Sequence, residues 1–291
     1  MISKIKKLGP GLLFAGAAIG VSHLVQSTRA GADFGFGLLW ALILTNLFKY
    51  PFFLFGPKYA IATNESLLDG YFKLGKSFLV IYFVLTLVTM FTIQSAVTIV
   101  TAGLAIELFG ITSNIKIWAF IILIFCCAIL LIGRYKLLDN FMKFVIILLT
   151  LSTFLAVLFA GFSSPNNLNI IQVFPKDSIS IAFLVAFMGW MPAPLDISIW
   201  QSIWTLEKKK KDKKINPKDI SFDFNVGYVT TVILGICFMA LGSFVMFGTG
   251  ESFSSSGGVF ANQLIKLYTS SIGDQVFLVI AIAAFTTMFS T

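Results

Sequence analysis

Long apolar runs separated by short polar stretches set the rhythm of this chain. A helix needs roughly 20 mostly apolar residues to cross about 30 Å of hydrocarbon. By that ruler eight segments qualify, at about 11–28, 35–57, 77–105, 115–133, 140–162, 179–205, 225–248 and 274–291. The pattern predicts an all-α polytopic membrane protein in a single domain over residues 1–291.

Two of these runs are interrupted. The first carries Gly16, Gly20 and Ser22 at mid-helix and then the polar residues His23, Gln26 and Arg29. The sixth contains Met188-Gly-Trp-Met-Pro-Ala-Pro-Leu-Asp196, with two prolines close together. Proline removes a backbone donor and clashes with the preceding helical turn. At membrane depth such a break persists only where protein or a water-filled cavity satisfies the freed groups. Breaks at corresponding positions of two halves predict an inverted-repeat transporter with its substrate at the midplane. The first repeat would cover about 8–165 and the second about 176–291. The second repeat is short by two helices and the chain stops inside an apolar run, so C-terminal truncation is expected. Taken singly, each break also reads as a kink, and Gly16–Gly20 and Gly31–Gly35 read as ordinary small-xxx-small packing contacts.

Composition sharpens the class. Hydrophobic residues make up 57% of the chain and charged ones 12%, half or less of what a soluble domain carries. The net charge of +8 suggests nucleic acid until the charges are placed. With the N-terminus in the cytoplasm, Lys and Arg fall on the inner side as three in the tail, three at 58–76, two at 134–136 and seven at 208–218. Only Arg29, Lys116, Lys176 and Lys266 fall outside. That asymmetry obeys the positive-inside rule and predicts a bacterial-type inner (plasma) membrane protein. The Lys208–Lys214 run is then a topology anchor near anionic lipid heads, not a nucleic-acid site. The basic start followed by an apolar stretch resembles a signal peptide, but seven more runs follow it. Cys126, Cys127 and Cys237 sit in apolar runs with no metal or disulfide spacing, which favours core packing. No nucleophile–base pair, phosphate loop or carboxylate pair points to an enzyme, and no cofactor is expected.

Several stretches carry a family resemblance. Gly9-Pro-Gly-Leu-Leu-Phe14, Arg29-Ala-Gly-Ala-Asp-Phe-Gly-Phe-Gly-Leu-Leu-Trp40, Thr45-Asn-Leu-Phe48 and Met191-Pro192 resemble the NRAMP family of proton-coupled divalent metal transporters. The resemblance implies a LeuT-like fold of ten or more helices with broken helices 1 and 6. The family's Asp-Pro-Gly-Asn signature, which binds the metal, is replaced here by Gly20, Val21, Ser22 and His23. Its Met-Pro-His motif becomes Met191-Pro192-Ala193, and Gln94 and Val97 stand where acidic residues often serve proton passage.

The residues that remain offer a metal site of borderline character. Candidate ligands are the His23 imidazole, the Met191 thioether, Ser22, and backbone near Ala17, Gly20 and Met188. Imidazole and thioether suit transition metals, whereas Mg²⁺ and Ca²⁺ want a cage of oxygens. Asp196 restores a negative charge nearby, pairs with Arg29, Lys49 or His23 as a gate, or rests in water at the inner mouth. Gln94 and Arg29 are the other candidates for gating or coupling. His23, the chain's only histidine, reads as ligand, proton carrier or structural polar residue. The leading expectation is a secondary transporter of a small cation, foremost a divalent transition metal, working by alternating access with possible proton coupling. The alternatives are an organic or other ionic solute on the same fold, or a relative that transports nothing. The expected partners are the transported metal ion or solute and membrane lipid.

Overall fold

The computed structural model describes residues 8–132, 135–163, 170–213, 215–250, 253–254, 257–273 and 277–291. Lys4, Lys6, Lys7, Arg134 and Lys214, which belong to the inner-side charge count, lie outside the described residues. Within those residues the regular structure is entirely helical.

Helix α1 (Pro10–Ala18) opens with a proline, whose missing N–H would be unpaired in a first turn anyway. The chain leaves the helix at Ile19 and Gly20, winds Val21–Ser27 as a π-helix, and completes the span with α2 (Thr28–Phe34). Gly35, at φ +59°, ends α2 in a conformation that disfavours a side chain. Next come α3 (Leu39–Thr63), the short α4 (Leu67–Leu74), α5 (Lys76–Phe109), α6 (Ile115–Ile132) and α7 (Tyr135–Ser163). The second half contains α8 (Ser178–Trp190), α9 (Ile197–Lys211), α10 (Pro217–Val245), α11 (Gly257–Ile272) and α12 (Phe277–Ser290).

Among the described residues six helical stretches are long and apolar enough to cross a membrane, the first being Pro10–Phe34. The predicted sixth span is two shorter helices, because Pro192 and Pro194 stop α8 at Trp190 and release the chain until Ile197. Helix α10 begins well before the predicted 225, since Asn216 and Asp219 form a reciprocal capping box ahead of the apolar run. Helix α11 was invisible to the apolar ruler. Its Asn262, Gln263, Lys266 and Thr269 lower its hydropathy, and it packs across α5 and α7.

The first span lies at the centre, mostly buried, and α10 follows it along its length. Glycines allow that approach. A Cβ on Gly31 would sit 1.9 Å from the Met239 carbonyl oxygen, and one on Gly242 would sit 2.1 Å from that of Thr28. Further down, Gly11 and Gly227 interlock, a Cβ on Gly227 meeting the Gly11 oxygen at 1.9 Å. The paired residue numbers rise together, so the two helices run in the same direction. Of the two predicted small-xxx-small pairs, Gly31 is a true backbone contact, whereas Gly35 caps a helix. Below the first break, Phe14 fills a ring cluster with Phe53, Phe224 and Tyr228, its centroids 5.3–5.7 Å from theirs. The outer face of α5, including Phe78, Val88 and Phe91, is exposed and apolar.

Candidate functional site at the two helix breaks

The two interruptions meet. The Ser22 hydroxyl lies 2.6 Å from the Ala18 carbonyl oxygen and 3.3 Å from that of Pro192, joining the first break to the second. His23 is fully buried, its Nδ1 3.0 Å from the Ala18 oxygen and 2.7 Å from Ser22 Oγ. A carbonyl can only accept, so a proton on Nδ1 is donated to Ala18, whereas a proton on Nε2 leaves Nδ1 to accept the Ser22 hydroxyl. The ring is turned toward α10, with the Thr231 backbone beside it and Nε2 3.8 Å from where a Cβ on Gly235 would lie. The Ala18 carbonyl at the end of α1, which also accepts the Gly20 amide at 3.0 Å, is therefore reached by side chains two and three residues past Gly20, at Ser22 and His23.

The freed carbonyls of the second break have a different partner. Lys49, from the middle of α3, extends its ammonium into the end of α8. It donates to Met188 O at 2.8 Å, Gly189 O at 2.9 Å and Met191 O at 2.6 Å. All three donors of the ammonium are thus in use.

The other predicted residues are distributed as follows. Met191 is fully buried in an apolar cluster with Ala30, Leu38, Phe187 and Met239. Gly20 is buried in the first break, and its carbonyl accepts from the His23 and Leu24 amides. Ala17 is half-buried in the last turn of α1. Asp196 is half-buried at the start of α9, on the wall of a cavity of about 510 Å³ that also touches Tyr82, Thr86 and Thr89 of α5 and Trp190 of α8. Gln94 is exposed and bonds along its own helix to Thr98 Oγ1 at 3.0 Å. Arg29 is half-buried in α2, and its Nε lacks a partner. Ser22, His23 and Pro192 are brought together. Among the described residues no three of His, Cys, Asp and Glu gather as a metal cluster.

Two further polar residues bear on the site: Lys49, expected only as one of three partners for Asp196, and Asp223, which the sequence did not single out. Lys49 is a charge inside an apolar run, costly enough at ~2.5–3.5 kcal/mol to demand a partner, and the structure gives it the carbonyls at the end of α8 where Asp196 was one expected partner. Asp223, fully buried on α10, receives the Gly9 and Gly11 amides at 2.8 and 2.7 Å and so caps α1 from another helix.

Comparison with known proteins gives this geometry a context. An uncharacterized protein of Pasteurella multocida (strain Pm70) is 39% identical over 293 residues, an alignment covering 99% of this chain and 67% of that protein. The crystal structure of a manganese transporter from Eremococcus coleocola, in complex with an aromatic bis-isothiourea substituted compound, superposes with a TM-score of 0.74 at 15% identity. That superposition covers 99% of this chain but 63% of the transporter, so the chain spans somewhat less than two thirds of it. The description "natural resistance-associated macrophage protein-like" fits residues 11–291. With its broken first and sixth spans, its apolar helices and these relatives, the chain is an integral membrane protein that belongs to the Nramp family, a family of transporters and not of enzymes.

Proposed function

We propose that this chain forms the core of a secondary transporter that carries a small cation, foremost a divalent transition-metal ion, past the crossing of its two helix breaks. The observation that carries this reading is the Ser22–Pro192 contact, which holds the interruptions of the first and sixth spans against each other in the protein interior. Family membership and the likeness to a manganese transporter support the cargo class. His23 is the foremost ligand: its Nδ1 is fixed by backbone, which orients the ring and raises the basicity of Nε2. The Met191 thioether, the Ser22 hydroxyl and backbone oxygens of Ala17, Gly20 and Met188 complete the proposed ligand set, to which a transition metal is better suited than Mg²⁺. Helix rocking about this crossing would alternate access, and His23 would carry any coupled proton. Asp196, Gln94 and Arg29 are proposed as gating groups. The charge asymmetry supports an inner membrane location with the N-terminus in the cytoplasm.

The test is uptake of Mn²⁺, Fe²⁺, Co²⁺ and Zn²⁺ into proteoliposomes. Wild type should accumulate at least one ion, and His23→Ala and Met191→Ala should each lower its uptake by about ten-fold or more. If no ion enters above the level of empty vesicles, the metal reading fails.

One observation favours a second reading. The Met188 carbonyl is already held by an ammonium, and the site gathers no cluster of carboxylates. Those features suit an organic or monovalent cargo better than a bare dication. Competition by such a solute, with no effect of metals on stability, would select it.

A further inference from the structure

The end of a helix leaves its last carbonyls without partners, and in a membrane no water replaces them. Helix α8 ends at Trp190, and the prolines that follow bring no donor of their own. Three oxygens there, those of Met188, Gly189 and Met191, converge on one nitrogen, Lys49 Nζ, at 2.6–2.9 Å. The negative end of the α8 dipole adds to the attraction. No carboxylate among the described residues is ion-paired with Lys49, so its charge is balanced by backbone oxygens alone. The anchoring residue sits in the middle of a 25-residue apolar helix, where an unmatched ammonium would be expensive.

We infer that these three carbonyls form a binding cup for a small monovalent cation and that Lys49 occupies it as a tethered cation. The cup is neutral, which suits one positive charge and offers little to offset the dehydration of two. Lys49 therefore has two roles. It satisfies the broken end of α8 without recruiting an ion from solution, and the Met188 oxygen can join the proposed cargo site only once the ammonium moves off it. The inference does not depend on the proposed cargo, because its test involves no transport.

Lys49→Ala removes the tether and empties the cup. In detergent, the variant should unfold several degrees below wild type when choline is the only cation, since choline is too large to enter. Replacing choline by methylammonium or K⁺ at equal ionic strength should recover at least half of the loss, while wild type should respond equally to all three. A variant as stable as wild type in choline, a variant that no monovalent cation recovers, or one recovered by Mn²⁺ alone would overturn the assignment. A second measurement uses only wild type, in case the variant does not fold. Reductive methylation of the folded protein should modify the exposed Lys73 well before Lys49, and equal rates would also refute the cup.

Discussion

Ser22 and His23 show how two side chains repair a backbone that their own segment has broken. The hydroxyl reaches both Ala18 O and Pro192 O, and the imidazole shares the first of these. Ser22→Ala should remove both hydroxyl contacts in a buried place and destabilise the protein by about 0.5–1.5 kcal/mol. Ser22→Thr, which keeps the hydroxyl, should cost less. Thermal unfolding of the two variants side by side checks this, and a Ser22→Ala protein as stable as wild type would mean that the link between the breaks contributes nothing. The singular histidine was legible in the sequence as a residue needing a reason. What its two nitrogens meet depends on the Ala18 carbonyl and on the Thr231 backbone of α10, and no local pattern encodes that.

Among the elements, the short α4 was hidden between two apolar runs, although its capping signal stands in the sequence. Ser66 and Asp69 bond reciprocally, the Ser66 amide and hydroxyl reaching Asp69 Oδ2 at 2.8 and 2.6 Å. These hydrogen bonds hold the Asp69 carboxyl below its usual pKa. A carboxyl depressed on folding stabilises the helix at pH values above its unfolded pKa of about 3.9, and that stabilisation is lost as pH falls through the lower folded value. Amide exchange in residues 67–70 should therefore be unchanged from neutral pH down to mildly acidic pH and accelerate only in strong acid, after correction for intrinsic rates. Ser66→Ala should speed it already at neutral pH, by an opening cost of roughly 0.5–2 kcal/mol. Equal exchange in the variant and wild type would show that the box does not hold α4. By contrast, the proline stop of α8 was readable from sequence alone, because the constraint on φ belongs to the residue itself.

On the scale of the molecule, α10 is the spine against which the broken span is set. Asp223 fixes the start of α1, glycines bring the backbones together, and Lys208 of α9 adds a bond to the Leu8 carbonyl at 3.5 Å. Asp223→Ala should leave two buried amides unpaired, costing about 1–3 kcal/mol each at most. It should also raise proteolytic cleavage near residue 9 well before global unfolding, and cleavage unchanged from wild type would exclude Asp223 as the anchor of α1. The membrane class, most of the spans, the two interruptions and the family resemblance are legible in the order of the amino acids. All of these follow from hydropathy, proline chemistry and motif, which are local properties. That Ser22 reaches Pro192, that Lys49 fills the end of α8 and that Asp223 caps α1 depends on how the helices pack. Each of these joins groups more than a hundred residues apart, and a freed carbonyl takes whichever donor the packing brings within reach.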